Sequence, residues 1–219
     1  MLKRLLVVFG KRTADEIVST AKLSNSHFFD RLMTYYFDEC LAEELRLDSI
    51  PRDFDEVYFC IGVVDYNLRV KIETAATRRG MIPFTIIHPS SVVDVGAQIG
   101  VGCFIGPLAV ISIDARIGDH SILHIHCSVG HDTLIGRHCA ILPGARLSGD
   151  VTLGDGVLIG SNAFVFQGSR IGDHTQVDAL TYVRGDVQGG QILSLRYPSP
   201  LKRFGWKAAS SSDGVAREG

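Results

Sequence analysis

An α/β unit followed by a parallel β-helix is the fold that this 219-residue sequence predicts, and three observations predict it. From Val93 to Val183 an aliphatic residue falls at every sixth position, sixteen times without a break. Two residues before it stands a small side chain or a valine, as at Ala97, Cys103, Ala109, Ser121, Cys127 and Thr133. Residues 1–87 lack this period and read as alternating short strands and helices. A six-residue period fits neither an amphipathic helix at 3.6 residues per turn nor a long strand at 2.0. It fits a chain wound round a triangular prism, in which each coil buries its apolar edge by stacking on the next.

The elements follow in order. Leu5–Phe9 reads as a first strand, Thr13–Leu23 as a helix, Leu32–Phe37 as a second strand and Val57–Ile61 as a third. Asn67–Arg79 reads as a second helix and Phe84–Ile87 as a short last strand, an alternation that makes a parallel sheet. Pro89 biases His88 to an extended conformation and hands the chain to the repeat, which occupies residues 88–187. Gly follows the aliphatic residue in eight of the sixteen hexads, from Gly100 to Gly172, and is read as the corner residue that supplies positive φ. Beyond Val187 the repeat fails. Residues 188–219 form a C-terminal segment, basic and aromatic over Arg196–Trp206 and disordered by composition over Ala208–Gly219.

A net charge of −2 argues against a nucleic-acid binder that relies on a basic field. The apolar run Leu5–Phe9 is too short for a membrane span or a signal peptide, so no membrane insertion and a cytoplasmic location are expected. Five cysteines show no CxxC pair, and Cys103, Cys127 and Cys139 occupy the small inward position of the repeat, as buried hydrophobes would. No lysine occurs between Lys71 and Lys202, so an anion on the β-helix would be met by Arg, His or backbone N–H groups.

Hexad position sorts the eight histidines. His131 stands two residues after Val129, past Gly130, where its ring should project outward beside Asp132. Histidine titrates near neutrality and a neighbouring carboxylate can fix its tautomer, which makes the pair a general-base candidate; an exposed corner residue is the bland alternative. His120, His138 and His174 fall three after their aliphatic residue and should stack along one corner as solvated turn residues. His124 stands where Gly is usual and can tolerate the left-handed region, with a structural role and a substrate contact both open. The five-residue spacing of His126 and His131 resembles the paired metal ligands of γ-class β-helical carbonic anhydrases, a resemblance that implies a third histidine about two coils earlier; Ser90 stands there instead, so no metal is expected.

Taken together, Ile87-His88-Pro89-Ser90, the unbroken hexads and the segment from Val129 to Gly136 resemble bacterial hexapeptide-repeat sugar acetyltransferases. The group meant is that of sialic-acid O-acetyltransferases and nucleotide-amino-sugar N-acetyltransferases. The resemblance implies a Rossmann-like domain at residues 1–87 that holds a nucleotide sugar, a left-handed parallel β-helix that binds acetyl-CoA, and a homotrimer with active sites between neighbouring helices. It implies His131 as the catalytic histidine and Asp132 as its acidic companion. For the acceptor it implies Gly10, Lys11 and Arg12, where one glycine replaces a Gly-rich turn, together with Asp38, Glu39, Gly62, Asn67 and His124. For acetyl-CoA it implies Ala140, Gly144, Gly160, Lys202 and Arg203, Ala140 standing where relatives often carry a histidine. The function so implied is N-acetylation of a nucleotide-linked amino sugar in polysaccharide biosynthesis, with no acyl-enzyme. A sialic-acid-type O-acetyltransferase and a catalytically inactive trimeric scaffold are the alternatives.

Overall fold

The computed structural model describes residues 2–36 and 47–203. Asp38, Glu39, Cys40 and the tail Ala208–Gly219 lie outside them. In the N-terminal unit β1 (Arg4–Gly10), β2 (Arg31–Tyr35), β3 (Glu56–Gly62) and β4 (Ile82–Pro83) form a parallel sheet in the order β2-β1-β3-β4. Central β1 is apolar on both faces, as a covered parallel strand must be. Leu6 and Val8 pack on Ala14, Ile17 and Ala21 of α1 (Arg12–Ser24). Leu5, Val7 and Phe9 pack with Leu68, Ile72 and Ala76 of α2 (Tyr66–Arg78), whose N-terminus Asp65 caps by accepting from the Leu68 amide at 2.9 Å.

One predicted strand divides. Instead of Phe84–Ile87 closing the sheet, Ile82–Pro83 takes its edge beside Tyr58 and Phe59, and β5 (Ile86–Ile87) pairs with Phe104 and Ile105. Proline suits that edge because it has no N–H to give a further strand. Ile86 is fully buried among Ala14, Ile17 and Phe104, so the first rung of the prism is also part of the core shared with α1.

From β6 (Val92–Val93) to β21 (Tyr182–Val183) the chain makes sixteen two-residue strands, and those up to β18 (Phe164–Val165) each pair in parallel with the strand eighteen residues on, as Ser128 with Arg146. They build three sheets, and the hexad aliphatic residues and small residues fill the space between them. This arrangement fits a left-handed β-helix. Face one carries Phe104, Ile122, Ala140 and Leu158; face two Val110, Ser128, Arg146 and Phe164; face three Arg116, Leu134, Thr152 and Arg170. β22 (Gln191–Leu193) extends face one, and β23 (Leu201–Lys202) returns antiparallel along it. Polar small residues inside serve the buried backbone: Ser121 Oγ donates to the Gly136 carbonyl at 3.0 Å and accepts from the Cys139 amide at 3.1 Å.

The role of the repeat's glycines differs from the expectation. Positive φ recurs not one but three residues after the aliphatic residue, at every sixth position from Gly102 to Leu180, and Asp, His, Asn and even Leu occupy it. Glycine follows the aliphatic residue because successive coils meet there. A Cβ added at Gly118 would lie 2.5 Å from the Gly136 carbonyl carbon and 2.7 Å from the Arg137 nitrogen. His124 accordingly has ordinary φ, and it is His126, at φ 60°, that sits in the left-handed region.

The α/β unit covers face one and the corner between faces three and one. Cys60, Phe104 and Ile122 are buried together, and the Cys60 thiol lies 3.8 Å from the Gly102 carbonyl of the prism. His120, His138 and His174 line that corner at positive φ. His120 and His138 are not solvated, however: α2 lies over them and leaves them 2% and 5% exposed. Their rings are stacked with centroids 5.3 Å apart, and Tyr66 of α2 packs edge-on against His138 and His174.

Close stacking and backbone strain should separate cleanly in two variants. Gly118→Ala should lower stability by about 1–3 kcal/mol through overpacking between coils. Gly168→Asn, at φ +71° with open space around it, should stay within about 1 kcal/mol of the parent. Urea denaturation followed by circular dichroism measures both.

Candidate functional site

The corner between faces two and three presents His131 and Asp132. Val129 ends a strand of face two, Gly130 passes close to the next coil, and the chain then turns before Leu134 begins face three. Asp132 takes φ 56°, which a short polar side chain tolerates. Its amide donates to Ile113 O at 3.1 Å, and His131 O accepts from the Asp150 amide at 2.8 Å, so the turn is pinned to the coils before and after it. His131 Nδ1 lies 2.8 Å from Asp132 Oδ2. An ionised carboxylate only accepts, so in the neutral ring the proton sits on Nδ1 and Nε2 is the acceptor. Both side chains are open to solvent, at 52% and 61% exposure.

Gly149 completes this corner, and the sequence reading missed it. It stands eighteen residues after His131, one coil on, and a Cβ there would collide with Nε2 and Cε1 of the His131 ring. The imidazole therefore lies flat over bare backbone. A side-by-side alignment of coils would have shown the signal: a glycine directly beyond a histidine, outside the usual glycine position. Two troughs of about 440 and 510 Å³ lie on face three, and His131, Asp132 and Gly149 line neither of them. Arg116 and Leu134 line the first, Thr152 and Arg170 the second.

Gly10 and Gly62 meet at the C-terminal ends of adjacent strands β1 and β3, where the strand order reverses. Crevices of parallel α/β sheets open at such a point. A Cβ at Gly10, whose φ is +140°, would lie 2.5 Å from Gly62 O, and one at Gly62 would lie 2.7 Å from the Ala14 nitrogen. Lys11 and Arg12 are exposed at the start of α1, whose first turn has no side-chain cap. Tyr36 and Thr34 hydroxyls donate to Asp15 of that turn at 2.5 and 3.1 Å and draw the end of β2 to the crevice. Asn67 is exposed on the first turn of α2.

The remaining candidates are dispersed. His124 is buried at the corner between faces one and two, and burial, with Arg69 nearby, pushes its pKa down to about 4, so it is neutral at pH 7. Ala140 is buried on face one; Gly144, at φ +70°, and Gly160 lie at the same corner as His124. Lys202 is exposed on β23, and the Arg203 guanidinium donates to the His174 carbonyl at 3.1 Å. Within one chain none of these meets His131. Burial pushes the thiols of Cys60, Cys103, Cys127 and Cys139 up to about 12, which removes them as nucleophiles at neutral pH. Among the described residues no group of three or more His, Cys, Asp or Glu could hold a metal ion, and no helix is long and apolar enough to cross a membrane.

Residues 132–167 match the family described as bacterial transferase hexapeptide (six repeats). GDP-perosamine N-acetyltransferase of Escherichia coli O157:H7 is 35% identical over 111 residues, which are 51% of this chain and 50% of that protein. The carnitine operon protein CaiE of Escherichia coli O7:K1 is 33% identical over 116 residues, 49% of this chain and 58% of that protein. The chain thus matches about half the length of these curated relatives. Among solved structures, WeeI from Acinetobacter baumannii superposes with a TM-score of 0.78 at 20% identity, covering 87% of this chain and 96% of that one. The acetyltransferase domain of PglB from Neisseria gonorrhoeae, in complex with acetyl coenzyme A, superposes at 0.77 and 22% identity, covering 91% and 100%. PerB from Caulobacter crescentus, in complex with CoA and GDP-perosamine, superposes at 0.72 and 23%, covering 88% and 94%. These likenesses extend the shared fold over both units.

Gly149→Ala should move the His131 ring off the backbone while leaving the prism intact. The expected outcome is a changed chemical shift for the His131 ring in heteronuclear NMR with a melting temperature within about 3 °C of the parent.

Proposed function

Because this chain carries the bacterial transferase hexapeptide repeat, we propose that it is an acetyl-CoA-dependent N-acetyltransferase whose acceptor is a nucleotide-linked amino sugar. The observation that carries this reading is the His131–Asp132 pair, held at 2.8 Å on a corner open to solvent. The named relative that acts on GDP-perosamine, and the PerB complex with CoA and GDP-perosamine, support the substrate class.

In this reaction the acceptor nitrogen attacks the thioester carbonyl, a C–N bond forms, and the C–S bond breaks to release CoA. His131 Nε2 takes the proton that the amine loses, and Asp132 holds the imidazolium through Nδ1–H. No acyl-enzyme forms. A positioned base of this kind contributes roughly 10²–10⁴ in rate, and holding the two reactants together contributes at least as much. Backbone N–H groups of the turns along the corner are the available oxyanion donors. The Gly10–Gly62 crevice and the α1 N-terminus receive the nucleotide phosphates, with Lys11 and Arg12 supplying charge that a single glycine cannot.

The same reading makes the active site shared between copies. His131 stands on the edge of the prism opposite face one, and face one carries the α/β unit. A sugar held by that unit is therefore served by His131 of a neighbouring protomer, in a homotrimer. Soluble, metal-independent turnover in the cytoplasm completes the proposal.

His131→Ala should lower kcat at least about a hundredfold with little change in acetyl-CoA affinity. Near-parental turnover in that variant would overturn the base assignment. Assayed with acetyl-CoA against UDP, dTDP and GDP amino sugars and against free sialic acids, the protein should acetylate a nucleotide amino sugar. Turnover of free sugars alone would favour the O-acetyltransferase, and no binding of acetyl-CoA or any nucleotide by calorimetry would favour the inactive scaffold. Co-assembly of His131→Ala chains with Lys11→Glu/Arg12→Glu chains should restore activity that neither has alone, if sites are built in trans.

A further inference from the structure

The seam between the α/β unit and the prism holds a charged cluster that the proposed chemistry does not use. Glu73 of α2 reaches across the seam to three prism residues. Its Oε2 lies 2.7 Å from His138 Nε2, and its Oε1 lies 3.3 Å from His120 Nε2 and 2.9 Å from Arg137 Nη2. His120 is sandwiched between the His138 ring at 5.3 Å and the Phe59 ring of β3 at 5.6 Å, both nearly parallel to it. The Nδ1 atoms of both histidines are buried without a hydrogen-bond partner.

We infer that this cluster is an acid-operated latch: two neutral imidazoles clip the α/β unit to the prism through Glu73, and acid opens the seam before the prism itself unfolds. The geometry offers one half-buried carboxylate to two buried imidazoles that already share it with an arginine. Two added protons would place two positive rings in stacked contact beside Arg137 and the fully buried Arg69, with Glu73 the carboxylate that touches both rings.

Other titratable groups face the pair from each packed element. From α2 these are Tyr66 and Arg69, and from β3 it is Cys60. From the prism Asp119 and Asp155 favour the protonated rings and Arg137 opposes them, as does Arg69 of α2. Cys103, Cys139 and Asp173 line the same corner, with His174 one ring further along, and the three thiols stay neutral as buried groups. Burial dominates and pushes both His120 and His138 down to about 4 from 6.5. An opened seam would return them to about 6.5. The opened form then binds more protons than the closed form between these values, so closure is favoured above about pH 6.5 and is progressively lost as pH falls toward 4.

Cys60 and Cys127 report the two events separately, since Cys60 is buried in the seam and Cys127 inside the prism. The intact protein is pulse-labelled with dithiodipyridine between pH 7.5 and 4.5, with rates normalised to the unfolded chain and sites read by peptide mass. Cys60 labelling should rise at least tenfold on acidification while Cys127 stays protected. In the His120→Gln/His138→Gln double variant, whose amides donate to Glu73 without titrating, that rise should disappear. In Glu73→Gln the opening midpoint should move to higher pH, because the closed form loses its acceptor charge. Simultaneous labelling of Cys60 and Cys127, or no rise at Cys60 over this range, overturns the latch. If the double variant does not fold, an unmoved midpoint in Glu73→Gln overturns it equally.

Discussion

The distance at which one coil of the prism stacks on the next governs the rest of this protein. Parallel strands hydrogen-bond at a spacing of about 4.8 Å, and three such ladders must close around each coil at once. At the point where the chain leaves a strand the coils pass so near that Gly118 and Gly136 have no room for a side chain between them. Two residues later the chain turns outward through a left-handed residue and can carry almost anything. The prism is therefore a rigid rod with a strict interior and permissive corners, and the permissive corners are where its chemistry-bearing side chains stand.

Each corner is put to a different use. At the edge between faces two and three, Asp132 occupies the left-handed position and is for that reason aimed beside His131, while Gly149 gives the ring its floor. At the edge between faces three and one, His120 and His138 occupy the equivalent position, yet α2 lies over them and Glu73 joins them. The same residue type in the same turn is open to solvent in one place and neutral and buried in the other. His131 stands one residue before the left-handed position and His120 and His138 stand at it, and the α/β unit covers only the second corner. That coverage also separates the Gly10–Gly62 crevice from the His131 of its own chain, which is the physical ground for the proposed sharing of a site between copies.

Much of the architecture was legible in the residues. The hexad alone located the prism, its sixteen strands and the outward turn that presents His131, because a six-residue period has no other common solution. The α/β elements were readable to within a residue or two, except at Phe84–Ile87, where an apolar strand could belong to either unit and pairing decided. The glycines were legible as essential but for the wrong cause, since proximity between residues eighteen apart does not show in a local pattern. Gly149 was passed over for the same reason.

By itself, then, the sequence determined the repeat, the inward and outward alternation that follows from it, and the His131–Asp132 neighbourhood, all of which are properties of residues close along the chain. Only the tertiary structure decided which corner histidines see water, that Glu73 and Arg137 meet sixty-four residues apart, and that Nε2 of His131 rests over Gly149. These depend on where one unit lands on another and on how coils align. Burial, and with it the charge state of a histidine, is a property of that landing rather than of the residue.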